Sequence, residues 1–265
     1  MSTIRRIIFF TGLLGGLSAC RPDMAIDAPL VVTAAPEFKV DVYEQRDAGT
    51  GAASFGLWVE SIALYECAGY SIESALRKTG QQIEVDLLDV QRPASCAGDQ
   101  APARQFVALG QLATGEYQFR LTLGQTIANQ GTLRVAGDHF SLALSQPQGI
   151  EIQNYQAHHL PDTLLWGYVS IPNEAAHTAA QNFVSDLKAI TTDGGLLPGF
   201  YSYFTVSGTG EIFFHSSVAP TGPVVLFVRK LNASPAALKD LVQDYRAGIQ
   251  QEPLTVRCFS TFGEF

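Results

Sequence analysis

Basic residues are scarce in this chain. It carries 17 lysines and arginines against 25 acidic residues, a formal net charge of −8. Phosphate binding needs clustered cations, so nucleic acid is not expected as a partner. Cysteine is also rare: there are four, none in a Cys-x-x-Cys arrangement, which excludes a redox pair or a clustered-cysteine zinc site of the usual spacing. Neither Gly-x-Ser-x-Gly nor His-Glu-x-x-His occurs, and no glycine loop of phosphate-binding type is present. After the first 20 residues no apolar segment approaches the roughly 20 residues that span a bilayer.

What is present begins at the N-terminus. Arg5 and Arg6 precede an apolar run over residues 7–17, and small residues then lead to Cys20. These are the three zones of a secretory signal, and the run is too short for a permanent transmembrane helix. Residues 17–20 read Leu-Ser-Ala-Cys and resemble the lipobox of bacterial lipoproteins. The resemblance implies cleavage after residue 19, diacylglyceryl transfer to the Cys20 sulfur and attachment to the membrane through acyl chains. Each buried methylene contributes about 0.8 kcal/mol, so two or more chains hold a domain in place. The family's sorting rule reads the residue after the cysteine. Arg21, in place of aspartate, implies the outer membrane where the envelope has one.

Removing residues 1–19 leaves 246 of the 265 and takes the formal charge from −8 to −10, because Arg5 and Arg6 leave with them. A hydrophobic content of 46% is that of a folded protein rather than a disordered tether. In an exported chain Cys67 and Cys96 can bond, closing a loop of about 30 residues and contributing roughly 3–4 kcal/mol. Cys258 shares strand parity with Leu254 and Val256, which predicts a buried small hydrophobe.

Residues 20–29 form a polar, proline-bearing lipidated tether. From residue 30 to 145 the alternation predicts strands over residues 38–43, 57–64, 83–90, 106–109, 117–123, 131–135 and 140–144, with a helical turn over 71–79. Seven short strands at this spacing point to an antiparallel β-sandwich. Leu112-Ala113-Thr114-Gly115-Glu116-Tyr117 is similar to the tyrosine corner of immunoglobulin-like folds, and residues 67–135 resemble the immunoglobulin-like modules of bacterial surface proteins. That implies a fold and no activity.

Residues 146–163, with Pro147, Gly149, Asn154 and Pro161, read as a linker to a second domain over 164–265. There the expected order is a strand at 164–171, a helix from the Asn173 cap to Ile190, and a strand at 200–206 turning into 211–214. A strand at 224–230, a helix capped by Ser234 with Leu238, Leu241, Tyr245 and Ile249 on its apolar stripe, and a strand at 254–262 complete it. This β-α-β-β-α-β order resembles the ferredoxin-like split βαβ unit.

Catalytic constellations are not found. Ser185-x-x-Lys188 and Lys78-Thr79-Gly80 each match a β-lactamase element, but in reversed order, in different domains and without Ser-Asp-Asn. His158 and His159 are adjacent and would face opposite ways on a strand, unable to share a metal. No catalytic residue, metal or cofactor is therefore assigned. Alternation in the second domain places Leu165, Val169, Phe200, Phe204, Leu226, Val228, Val256 and Cys258 toward the helices. It leaves Trp166, Tyr168, Tyr201, Tyr203, Phe227, Arg229, Arg257 and Phe259 on the opposite face. Such an aromatic surface is rarely left to water. It can pack on the first domain, form a homodimer or protein-partner interface, or serve as a small-ligand or glycan platform. The expectation is a lipid-anchored envelope protein of binding or assembly function. The alternative is an envelope hydrolase with a site between the domains, signalled by His159 or His215 converging with acids and a hydroxyl.

Overall fold

Apolar residues that alternate with polar ones build most of this chain's strands. The computed structural model describes residues 33–215, 222–248 and 253–265, so the expected signal and tether, with Cys20, and Ile249 lie outside the described residues. The described part is β-rich, with several sheets and two helices. No helix in it is long and apolar enough to cross a membrane. In β1 (Phe38–Arg46), Val40 and Val42 turn inward while Lys39, Asp41 and Tyr43 take the other face. β2 (Ala53–Tyr65) pairs antiparallel with it, Leu57 and Val59 inward and Trp58 and Glu60 outward.

β3 (Ser71–Thr79) and β4 (Gln82–Gln91) form a hairpin, and β5 (Ala101–Ala108) lies between β3 and β2. β3 replaces the helical turn expected over 71–79. Glu73, Ala75, Leu76, Arg77 and Lys78 are good helix formers, but pairing with β4 and a two-residue turn with Gly80 at φ 60° override that propensity. Cys67 and Cys96 form the expected disulfide, with Cα atoms 5.6 Å apart, tying the β2–β3 turn to the β4–β5 connection.

β6 (Gly115–Leu123), β7 (Ile127–Val135) and β8 (His139–Ser145) make a meander whose first strand runs parallel to β4. The hydroxyl of Tyr117 donates back to the Ala113 carbonyl at 2.9 Å. All these strands belong to one continuous sheet, not two. The segment expected as a linker closes it. β9 (Ile150–Glu151) pairs with β1 and β10 (Gln156–His158) with β8. Between them the Asn154 carbonyl accepts from Val42 N at 3.2 Å, and the Tyr155 carbonyl accepts from Leu142 N at 2.7 Å. One segment thus covers part of both sheet edges, and the sheet wraps a single core that includes Val42, Leu57, Leu121 and Phe140.

The C-terminal part centres on β11 (Leu164–Ser170). α1 (Glu174–Ala189) starts where the Asn173 side chain accepts from Ala176 N, and it leads into β12 (Thr191–Asp193). β13 (Gly199–Phe200), β14 (Phe204–Val206) and β15 (Ile212–Phe214) form a separate three-stranded sheet. β16 (Val224–Leu231) follows, then α2 (Pro235–Ala247), capped by Ser234 and ended by Gly248 at φ 65°. β17 (Val256–Ser260) and β18 (Gly263–Glu264) complete a five-stranded sheet in the order β12-β16-β11-β17-β18, antiparallel throughout. The strand expected at 200–206 is not part of this sheet. Three residues, Thr191–Asp193, fill that position, and the aromatic run leaves as a hairpin arm.

Register corrects the face assignments of four residues in β16. Phe227 stands opposite Gly167, and Arg229 opposite Leu165, so both share the helix face with Leu165 and Val169. Phe227 meets Phe183 of α1 with ring centroids 5.8 Å apart, and Arg229 Nε donates to Thr191 Oγ1 at 2.6 Å. Leu226 and Val228 take the opposite face instead. Residues 224–228 are all apolar, so their sequence carries no phase. Gly167 sets the phase: a Cβ there would meet the Phe227 ring at 2.9 Å and the Arg257 carbonyl at 2.0 Å.

Candidate functional site

The site begins with an unfinished edge. Beyond β9, the outer N–H groups of β1 have no strand beside them, and buried N–H groups need partners. The Ser202 hydroxyl accepts from Glu44 N at 2.8 Å, and the Tyr203 hydroxyl accepts from Arg46 N at 2.7 Å. Both acceptors sit in the β13–β14 turn, where Ser202 takes φ 64° and Tyr203 N donates to the Tyr201 carbonyl at 2.6 Å. A left-handed, non-glycine residue in so tight a turn is costly and persists only where its surroundings hold it. Here the β1 edge does so.

Docked in this way, the hairpin lies between the two larger sheets. Phe200 enters the first core, while Phe204 and Tyr201 pack on Leu164, Trp166 and Val228 of the five-stranded sheet. The nominated aromatic face is therefore divided. Trp166 is 1% exposed. Tyr201 is buried at 3%, stacks on His158 at 4.9 Å, and its hydroxyl pairs with Leu197. Burial pushes the Tyr201 and Tyr203 hydroxyls above the usual phenol range. Tyr168 is half-buried, opposite Leu226 and Arg257, away from the hairpin.

Between the outward face of the β1–β2 hairpin and the β11–β17 edge runs a cleft of about 300 Å³. Tyr43, Trp58, Trp166, Tyr203 and Phe259 form its walls, with Gln45, Arg46, Asp47, Arg257 and Glu264 among its polar groups. The rings make one chain: Trp58–Tyr43 at 5.5 Å, Tyr43–Tyr203 at 5.5 Å, Tyr203–Trp166 at 5.0 Å and Trp166–Phe259 at 6.3 Å. Arg257 stands over Phe259 at 5.0 Å and pairs with Glu264 at 2.6 Å. The indole N–H of Trp166 is buried without a hydrogen-bond partner among the described residues. Four residues of the nominated face, Trp166, Tyr203, Arg257 and Phe259, thus meet at one site. Tyr43 and Trp58 were missed there, although strict alternation with Val42, Leu57 and Val59 marks both as outward residues.

Two polar clusters flank the cleft. Glu44, buried at the end of the core-facing row of β1, pairs with Arg46 at 2.5 Å and accepts from Leu160 N at 3.2 Å. His159 places Nδ1 3.3 Å from Glu44 Oε2 and Nε2 3.2 Å from the Ala136 carbonyl. Both partners are acceptors, which suits the doubly protonated imidazolium. The Glu44 hydrogen bond accordingly raises the His159 pKa above its ordinary value.

On the other side Asp41, Ser202 and His215 line a second cavity of about 170 Å³, with Tyr43, Trp58 and Phe200 also in its wall. Burial raises the Asp41 pKa and lowers that of His215. This is the convergence expected of a hydrolase, but its hydrogen bonds run elsewhere. Asp41 accepts from Asn154 N at 2.7 Å, Ser202 accepts from Glu44 N, and Thr205 Oγ1 meets His215 Nε2 at 2.9 Å. Among the described residues Ser202 meets no imidazole, and the hydroxyl beside His215 is that of Thr205. Among the described residues no cluster of three histidine, cysteine or acidic groups could hold a metal. No known protein family, curated protein or solved structure matches the chain.

Proposed function

We propose that this protein is a lipid-anchored envelope binding protein that takes a small ligand in the aromatic cleft. One observation carries the reading: the only two tryptophans of the chain, Trp58 and Trp166, come from different sheets and line the same cleft. Small-ligand sites are concave and mostly apolar, with a few polar groups to fix orientation, and they favour the junction of two folding units. Attachment through Cys20 rests on the N-terminal signal and its lipobox. The order β17-β11-β16-β12, with a helix after β11 and after β16, supports a ferredoxin-like assignment for the C-terminal half. For the first half the Tyr117–Ala113 hydrogen bond supports an immunoglobulin-like reading, against which its strands join in one sheet rather than two.

The fluorescence of a protein whose two indoles share one cleft reports directly on that cleft. Titrating the full chain with the low-molecular-weight fraction of an envelope extract should shift and saturate the emission. In the Trp58→Ala variant the response of the remaining indole should be lost. An extract that leaves the emission unchanged at every concentration removes the binding reading. Membrane fractionation of Cys20→Ala tests the anchor separately, with the expected result an uncleaved or released chain.

A further inference from the structure

We infer that the ligand of this cleft is a neutral saccharide, an assignment that rests on the binding reading above and deepens it. The first argument is charge. The cleft carries two arginines, Arg46 and Arg257, and two acids, Asp47 and Glu264. Arg46 is neutralised by buried Glu44 and Arg257 by Glu264, so among the described residues the cleft carries no uncompensated cation. A strongly anionic ligand would set its charge beside the Glu44 or Glu264 carboxylate as well as the arginine. Asp47 Oδ1 accepts from Thr50 N at 2.7 Å and Thr50 Oγ1 at 2.8 Å, which lowers its pKa, and the two acids of the cleft balance its two arginines.

The second argument is shape and polarity. The walls offer ring faces: Trp58, Tyr203 and Phe259 are each only partly buried, so a flat ligand can reach them. A pyranose presents C–H groups on its ring faces and hydroxyls round its edge. It can lie against aromatic rings while its rim meets donors and acceptors. The Arg257–Glu264 pair supplies both side by side, 2.6 Å apart at the cleft border and partly exposed. Such an alternating pair suits adjacent hydroxyls, each of which donates and accepts. The volume is at the small end of ligand pockets, which run from roughly 300 to 1,000 Å³, so the bound unit is short.

The experiment titrates the full chain with N-acetylglucosamine, its β-1,4-linked dimer, glucose and galactose, alongside choline and inorganic phosphate, and reads tryptophan emission and calorimetric heat. The expected result is saturable binding of at least one sugar, with none for choline or phosphate. Arg257→Met, which keeps the side chain's length over Phe259 and removes its donors, should weaken that sugar roughly tenfold, the scale of one charged hydrogen bond. Glu264→Gln at the pair's other end should weaken it in the same direction. Saturation by choline or phosphate, with loss in Trp58→Ala, overturns the saccharide and keeps the cleft as a binding site. An envelope extract that saturates the emission while every sugar fails does the same. Failure of the extract and all probes together overturns both.

Discussion

The two faces of the five-stranded sheet are built differently. On the helix side Phe183, Leu187, Val169, Val256 and Cys258 are all at 1% exposure or less. The Cys258 thiol there is pushed up to about 12 by burial, so it is inert in the folded protein. On the hairpin side the sheet meets rings with polar tips, among them the hydroxyls of Tyr201 and Tyr203 and the indole N–H of Trp166. The first face is covered by helices whose own periodicity encodes the contact. The second is covered by a turn whose polar groups are used on a distant strand edge, and it is covered only in part. The difference teaches where function can reside: a surface closed by non-local, partly polar contacts leaves a cleft, whereas the helix side buries its side chains at 1% exposure or less.

Truncation should separate the two most sharply at Phe183, which touches both Phe227 and Tyr245. Phe183→Ala is expected to cost about 3–5 kcal/mol of unfolding free energy. Native tryptophan emission should stay unchanged, because neither indole contacts Phe183. Urea denaturation checks the first part and the folded-state spectrum the second. A loss below about 1 kcal/mol would mean that the helix face is not the stability core.

A smaller loss is expected on the other face. Tyr203→Phe keeps the ring against Tyr43 and Trp166 but leaves the Arg46 N–H without its acceptor. Leaving a buried donor unpaired costs roughly 1–3 kcal/mol. Ser202→Ala does the same to Glu44 N, so the two variants should fall within that range and, because they share one turn, their effects should not add. Denaturation of both single variants and the double variant gives the coupling. Full additivity would separate the two hydrogen bonds and undo the account of the turn as one docking unit.

Local pattern carried much of this architecture and little of the site. Asn173, Ser234 and Pro235 mark helix starts that the structure keeps, and Ala176, Ala180, Phe183 and Leu187, which recur at helical spacing, all bury while Ile190 on the same face stays half-buried. Legibility ends where pairing decides. β12 is too short to announce itself, and the aromatic run at 200–206 carries the stronger strand pattern although it lies outside this sheet. The uninterrupted apolar stretch of β16 carries no phase of its own, which comes from the pairing of Phe227 with Gly167. Residues 146–163 look like a linker because they are rich in proline, glycine and polar groups, yet their backbone closes the first sheet. The cleft needed all three of these facts, since it exists only where β1, the hairpin and β17 meet.

The smallest expected effect concerns pH, and it distinguishes the two polar borders of the hairpin side. His159 is raised above its ordinary 6.5, first by its hydrogen bond to Glu44, with the Ala136 carbonyl and the charge of Asp138 adding to it and burial opposing it. Its folded form holds the proton more tightly than the unfolded chain. The stability it contributes is therefore complete below 6.5 and lost as pH rises through the folded value. His215 has the opposite sign: burial lowers its pKa, against the weaker pull of Asp41, so its contribution is present above 6.5 and lost as pH falls through the folded value. His159→Asn, which retains a donor near the Nδ1 position without the charge, should remove a decline of stability on the alkaline side of 6.5. His215→Gln, which can still reach Thr205, should remove a decline on the acid side. Denaturation midpoints from pH 5 to 8 for the three proteins read both slopes. Parallel curves would show that neither imidazole is linked to folding, whereas slopes exchanged between the variants would reverse the assignment of the two borders.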